Sequence, residues 1–446
     1  MRVALVVHKF PPESLGGTEI YTWSLARALA SAGHDVHIYH SSAGGASVNA
    51  RIEREGLHLW RVMLPQARST EGPIGQYWHT FRDIAVERDF ESFLDEVSPE
   101  IVHFHHAQGV SARLLELARG LPRIVTLHDY WFFCFNSQLV RPDQQVCSGP
   151  RLGWNCVDCA TVRPDLRKYR SLRPLIALPL AYRNYYLRKT VEQVDLLVAP
   201  SHFVRQQYIR QGWPAERIVT IPNGLDRERL AEASGIPLAS PPARPHFGFI
   251  GSIGWHKGVH VLVDAFNQLP LDAALTIYGD DQLFPDYTAK VRALVHHPYV
   301  RFAGRLDLQS VGGVLRQLDC LVVPSVCCES FSLVIQEAFA MGVPVVASRI
   351  GALPEKVTDG LTGRLFEPGD SGDLARVLRE LTAQPEQLAA FRKNLQPGPS
   401  IQEHSQQMAQ IYMALVAGTP TAQIMATVGD PGLPGVGNAG AAQIRG

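Results

Sequence analysis

Cys320-Leu321-Val322-Val323-Pro324-Ser325-Val326-Cys327-Cys328-Glu329-Ser330-Phe331-Ser332 is an apolar run of strand length that breaks at a Pro-Ser turn. The turn carries a carboxylate, Glu329, and the spacing predicts a helix from about Ser332 to Met341, with Glu337 on it and Gly342 as its stop. Strand, turn and helix in that order make one step of a parallel α/β sheet. The turn then lies at the carboxyl end of its strand, where open sheets bind ligands. Free backbone N–H groups at Phe331, Ser332 and Leu333 and the helix dipole favour a phosphate there. Two glutamates beside it can accept hydrogen bonds from sugar hydroxyls. The plainer alternative is a Ser332 N-cap and two solvated glutamates.

The same alternation extends in both directions. Short β-branched runs at Arg2–Val7, Asp35–Tyr39, Leu57–Val62, Ile101–Phe104, Arg123–Leu127, Asp195–Ala199 and Ile218–Ile221 read as strands. Thr18–Ala32 recurs apolar at helical spacing and ends in Gly33. Near-continuous apolar strands of this kind belong to a parallel sheet covered on both faces. Pro237-Leu238-Ala239-Ser240-Pro241-Pro242-Ala243-Arg244-Pro245 interrupts the pattern and reads as a linker. Alternation resumes with strands at Phe247–Ile250, Ala274–Tyr278, Val300–Ala303, Cys320–Val323 and Pro344–Ala347. The halves echo one another, since Asp195–Ser201 and Asp319–Ser325 are both apolar strands ending in Pro-Ser. The expected division is residues 1–235, with a Cys-containing insertion at about 130–190, a linker at 236–245 and a second domain at 246–400. A helix at 401–417 returns to the first domain, and 418–446, rich in Gly, Ala and Pro, reads as a disordered tail. The fold class is α/β, two doubly wound parallel-sheet domains facing a central cleft.

Length and composition agree with that division. The 446 residues exceed one ordinary core. Apolar content of 46% with 42 basic and 42 acidic residues describes a globular chain, and the charge balance argues against nucleic acid as a partner. Val3–Val7 is too short for a signal segment, and no run of about 18 apolar residues spans a bilayer. Seven cysteines, an odd number, suit a reducing compartment. The expected location is therefore cytoplasmic, extending to the inner face of the cell membrane.

Glycines mark two further turns. Gly16-Gly17-Thr18-Glu19 opens the first helix after strand one, where paired glycines let backbone amides approach an anion. Gly251-Ser252-Ile253-Gly254-Trp255-His256-Lys257-Gly258 holds the same place in the second domain. Lys257 at a helix start is unfavourable unless an anion such as a diphosphate is bound beside it. His103, His105 and His106 crowd one strand end, and His128 ends the next.

Gly16-Gly17, Pro222-Asn223-Gly224, Lys257-Gly258, and Glu329 with Glu337 inside Pro-Ser-x-x-x-Glu-x-Phe, in that order, resemble glycosyltransferase family 4 over roughly residues 1–415. That family is the retaining branch of the GT-B enzymes. The resemblance implies two Rossmann-like domains, acceptor on the first, nucleotide-sugar donor on the second, and no cofactor required for catalysis. By position it implies that Glu329 binds the donor sugar's hydroxyls, Glu337 the ribose and Lys257 the diphosphate. Gly16 and Gly17 would cover the diphosphate from the opposite domain, and Ser330, Phe331, Ser332 and Leu333 would line its end of the site. His128 matches the family's histidine near the anomeric centre, so His128, Lys257 and Glu329 are the expected catalytic groups. One departure is Ser252, where the family usually has an arginine; Arg305, after Gly304, is the candidate substitute.

The resulting expectation is a retaining transfer of a hexose from a UDP-, GDP- or ADP-hexose to a saccharide or lipid-linked acceptor, in cell-surface polysaccharide or glycolipid synthesis. A nucleotide-sugar 2-epimerase or phosphorylase of the same fold, and a non-catalytic nucleotide-sugar-binding protein, remain alternatives. Two features bear on the acceptor side. Cys134, Cys147, Cys156 and Cys159 fall within one insertion and could close a structural zinc site, although gaps of 12 and 8 residues match no standard finger, and unliganded or redox-paired thiols stay open beside it. Basic and aromatic residues at about 167–189 suit a peripheral membrane contact; a packed helix with a solvated basic face is the alternative.

Overall fold

The computed structural model describes residues 1–43, 49–65, 73–162, 166–232 and 244–428, and these build two sheets. The first contains β1 (Arg2–Val7), β2 (Asp35–Ala43), β3 (Ala50–Arg54), β4 (Leu57–Leu64), β5 (Ile101–Phe104), β6 (Arg123–Thr126), β7 (Leu196–Ala199) and β8 (Ile218–Thr220). Their order is β3-β4-β2-β1-β5-β6-β7-β8. The second contains β9 (His246–Ile250), β10 (Ala274–Tyr278), β11 (Val300–Gly304), β12 (Cys320–Val323), β13 (Val345–Ser348) and β14 (Gly363–Phe366), in the order β11-β10-β9-β12-β13-β14. Both are doubly wound. Strand order reverses between β1 and β5 in one lobe and between β9 and β12 in the other, which is where such sheets open a ligand crevice. The core strands are apolar because both faces are covered: Val3 to Val7 of β1 and Leu321 and Val322 of β12 are wholly inaccessible.

Three differences from the sequence reading have physical causes. The first sheet is not purely parallel, because β3 pairs antiparallel with β4. The hairpin turns through Glu55 and Gly56, both at positive φ, as a two-residue loop requires. The Pro-Ser echo is also not an equivalence of position. β12 lies beside the central strand of its sheet, whereas β7 is two places further out, between β6 and β8.

The third difference is at the carboxyl end. Helix Ile401–Val416 begins with a Ser400/Glu403 capping box and packs on helix Gly17–Ser31, with Tyr412 and Met408 buried in the first lobe. The chain does not fray at residue 418. Thr421–Val428 is a helix whose Ile424, Met425 and Val428 join the same apolar cluster, while the Thr421 hydroxyl donates to the Asp195 carbonyl at 3.1 Å. Their helical spacing outweighs the Gly- and Ala-rich composition. Residues 429–446 lie outside the described residues, as does most of the expected linker. Helix Arg227–Glu232, which precedes that linker, packs on the second lobe: a Cβ on Gly312 would lie 2.1 Å from the Leu230 carbonyl.

Candidate active site

The loops after β9, β12 and β13 meet because two glycines let backbones touch. Gly258 sits at φ 68, and a Cβ there would lie 1.8 Å from the Pro324 carbonyl oxygen. Gly351, at φ 62, is pressed against Glu329, whose N a Cβ would meet at 2.5 Å, and the Ala352 N–H donates to the Glu329 carbonyl at 2.9 Å. This packing carries Lys257 onto Glu329. The ammonium Nζ donates to Glu329 Oε1 at 2.6 Å, and the Ser325 hydroxyl donates to the same oxygen at 2.6 Å. Burial pushes the Glu329 carboxyl up, but the Lys257 charge and the two hydrogen bonds outweigh it, leaving the group below the usual carboxylate range. Burial would lower Lys257, and its carboxylate partner reverses that.

Helix Leu333–Ala340 starts directly beyond this pair. Ser332, its N-cap, is held at φ 66 and makes no side-chain cap, so the plain capping explanation fails. The N–H groups of Phe331, Ser332 and Leu333 find no acceptor among the described residues. They form the open positive end of the helix. Across the cleft stands helix Gly17–Ser31: a Cβ on Gly17 would come 3.8 Å from Leu333 Cδ1, and one on Gly16 would strike the Glu19 carboxylate at 2.4 Å. Gly16 and Gly17 thus present bare backbone to the second lobe's helix end.

The first lobe adds a knot of buried imidazoles. His128 Nε2 lies 3.2 Å from His105 Nδ1, and the Tyr21 ring packs edge-on against both. Burial, then the neighbouring His105, His106 and His404, hold His128 well below the ordinary histidine range, so it meets a ligand as a neutral imidazole. His103 turns away to Tyr412 and Thr126, at 2.6 and 2.7 Å, and is structural. His106 pairs with Asp129 at 3.0 Å, and the Trp131 N–H donates to the other Asp129 oxygen at 2.8 Å. Two residues past His128, the Tyr130 phenol is raised by burial first, then by nearby Cys328, Cys327, Tyr208 and Glu329. Leu127 and Tyr130 pack in one apolar cluster with Cys328, so the segments that carry His128 and Glu329 border one cleft.

Two expected residues stand elsewhere. Arg305 is about half exposed and lies 3.7 Å from Asp280, at the end of β11, with no contact to Lys257 or Glu329. Glu337 does not stand free: Arg229 from the linker-side helix pairs with its Oε1 at 2.5 Å and orients the carboxylate. Ser252 lines the β9 loop, where its carbonyl accepts from the Gly254 N–H at 2.9 Å.

Sequence reasoning missed Arg229 and a latch between lobes. Glu355 of the second lobe accepts from the N–H groups of His202 and Phe203, at 3.0 and 2.5 Å, at the start of helix His202–Arg210. Ser201 donates to the Ser330 carbonyl at 2.7 Å. Lys356, lowered to about 8 chiefly by burial, sits 3.6 Å above the Phe331 ring. No local motif announces these groups; only the Pro-Ser turn before His202 hinted that a helix end faces the cleft.

Comparison with known proteins bears on the family and the fold. Residues 15–229 match the profile of Glycosyltransferase Family 4, and residues 244–384 match that of Glycosyl transferases group 1. The chain is a family-4 glycosyltransferase. A glycogen synthase of Mycobacterium tuberculosis is 26% identical over 97% of this enzyme and 100% of its own length. Among solved structures, the sucrose-phosphate synthase of Thermosynechococcus elongatus superposes with a TM-score of 0.67 at 20% identity, covering 94% of this glycosyltransferase and 99% of that chain. The Anabaena protein HepE, solved with UDP-glucose, superposes at 0.64 with 18% identity, over 93% and 100%. The fold is GT-B.

Proposed function

We propose that this glycosyltransferase moves a hexose, with retention, from a nucleotide-sugar donor to an acceptor held on the first lobe. The observation that carries this reading is the Lys257–Glu329 pair at the open end of helix Leu333–Ala340, facing Gly17 across the cleft. A diphosphate there meets an ammonium and free N–H groups, and the donor sugar meets Glu329. Glu337, oriented by Arg229, takes the ribose. His128 supplies a neutral hydrogen bond near the anomeric carbon rather than a proton.

The carboxylates around the cleft are each engaged: Glu329 by Lys257, Glu337 by Arg229, and Asp129 by His106. This supports front-face departure and attack over a carboxylate nucleophile, with the leaving diphosphate taking the acceptor's proton. Lys257 and the helix end stabilise the developing charge, and latching of the lobes through Glu355 and Ser201 excludes water. Thermal shifts against UDP-, GDP- and ADP-hexoses test the donor. A bound donor at 100 times its Kd adds about 2.7 kcal/mol of stability. No shift with any of the three, in protein that is folded, removes the reading.

A lipid-borne acceptor is favoured by one surface. In helix Arg173–Val191, Ala177, Leu180, Arg183, Leu187 and Val191 face inward, and Leu175, Leu178, Tyr182 and Tyr185 form the opposite stripe, each more than half exposed. Trp78, 65% exposed, is a further large apolar side chain on helix Pro73–Phe81, whose Phe81 ring stacks on Tyr182. The basic residues contribute less than their number implies. Arg173 is bound to Asp158, Arg188 and Lys189 to Glu192, and Arg183 is buried against Trp131. Contact with a bilayer would therefore rest on apolar insertion, at about 1.5–3 kcal/mol per fully buried side chain. Among the described residues no helix is long and apolar enough to cross a membrane. Cosedimentation with vesicles should fall at least tenfold in Leu175→Glu/Leu178→Glu and change little between low and high salt. A steep salt dependence would instead assign the binding to Arg167 and Lys168.

A further inference from the structure

We propose that Cys134, Cys147, Cys156 and Cys159 form a structural site for one thiophilic divalent cation, zinc by its chemistry, which pins the first-lobe insertion to the acceptor side of the cleft. All four are free thiols and together line one small cavity of about 10 Å³, the size of a single water-sized sphere. Cys156 and Cys159 sit one turn apart on helix Cys156–Ala160, a spacing suited to two ligands of a tetrahedral site. Cys134 and Cys147 reach the same cavity from the preceding loop. Two amides already address the sulfurs as partners of bound thiolates do: Asn155 Nδ2 donates to Cys147 at 3.4 Å and Asn136 Nδ2 to Cys159 at 3.7 Å.

The segment needs such a staple. Ser137, Leu139, Gln144 and Leu152 all hold positive φ, and β-pairing in the Cys134–Cys159 loop amounts, among the described residues, to a single bridge, Val140 to Val146. Such a non-glycine residue is strained and persists only when surrounding contacts enforce it. A dication is bound by the thiolates as their protons leave. The sulfurs are more open than the Asp35, His37 and His58 ligand atoms, which lie within 4.8 Å of one another. Binding would draw them inward, because Zn–S bonds of about 2.3 Å set sulfurs roughly 3.8 Å apart.

The position gives the metal a task. Cys134 ends the His128–Phe133 segment of the active cleft, and Val157 and Cys156 pack with Ala177 and Leu180 under the exposed apolar stripe. Arg173 clamps the same loop through Asp158 and the Trp154 carbonyl. The cation would thus hold the donor-facing His128 segment and the stripe helix in one body.

Elemental analysis of the purified full chain tests this directly. About one zinc per chain is expected, released in step with mercurial titration of the thiols and lowered severalfold in Cys159→Ser. Mercurial release should also lower the Tm. Should Cys159→Ser fail to fold, metal stoichiometry of the unaltered protein carries the result. Folded protein with less than a tenth of an equivalent of metal overturns the proposal, whether its cysteines then count as four free thiols or as two disulfides. So does visible absorbance of an iron–sulfur cluster.

Discussion

Lys257→Ala is expected to lower kcat by about 10²- to 10³-fold, the usual effect of deleting one preorganised charge-stabilising donor, while the donor's Kd rises much less. The argument starts from the resting pair. Lys257 already holds a full charge partner, Glu329, at 2.6 Å, so its attraction for a ground-state diphosphate is partly spent. Charge grows on the leaving diphosphate only in the transition state, and that increment is what the ammonium meets. Removal also leaves Glu329 without its counter-charge. Burial, the largest influence on that carboxyl, is then opposed by the Ser325 hydrogen bond and His256 without the ammonium, and moves it upward. Lys257 is 30% exposed, so the cost in stability falls below the 3–5 kcal/mol of a fully buried pair, at about 2 kcal/mol.

A second variant separates the two effects. Lys257→Ala/Glu329→Gln should recover most of the lost Tm, since no buried charge remains, and recover none of the rate. Steady-state kinetics with calorimetric donor binding decide the matter. Equal losses in kcat/KM and in donor affinity would show that Lys257 only binds the ground state. Rate recovery in the double variant would show that the single substitution acts through a misplaced Glu329.

The architecture was legible because both sheets are wound from strands buried on both faces, which write themselves as unbroken apolar runs. β3 was missed for the opposite reason: Ala50–Arg54 is an edge strand whose side chains are mostly solvated, and only Gly56 in the turn betrayed it. The donor end of the site was equally readable. Glu329, Lys257, Gly258 and Gly17 lie on turns at strand ends, and a topological switch point brings such turns together whatever the side chains between them. The charge partners were not readable. Arg229, Glu355 and Ser201 reach the site from segments 108, 153 and 129 residues from their partners in the chain. Nothing local distinguishes them from surface polar residues. His103 lies two residues from His105 and on its side of the strand, with ring centroids 4.1 Å apart, yet both of its nitrogens are taken, by Tyr412 and Thr126.

Arg229→Ala is the substitution expected to cost most stability, about 3–5 kcal/mol, because the side chains of Arg229 and Glu337 are only 5% and 11% exposed. Arg229 is fixed by three hydrogen bonds, two through its guanidinium and one through its backbone. Its Nη2 donates to Glu337, its Nη1 donates to the Leu308 carbonyl at 2.7 Å, and the Arg229 N–H donates to Asp226 at 3.0 Å. The linker-side helix is thereby tied to the donor helix on the second lobe. Alanine leaves a carboxylate with neither water nor cation, whereas Glu337→Gln leaves an arginine that still has the Leu308 carbonyl and costs about 1–3 kcal/mol. A Tm drop on the order of 10 °C is expected for Arg229→Ala, and most of it should return in Arg229→Ala/Glu337→Gln. Donor-induced thermal shifts separate the roles further: they should shrink in both Glu337→Gln variants, whose neutral amide accepts from the ribose hydroxyls less strongly than a carboxylate, and only partly in Arg229→Ala. A loss under 1 kcal/mol for Arg229→Ala would mean that Glu337 is solvated in the free enzyme, and the short ion pair would then have no part in orienting it.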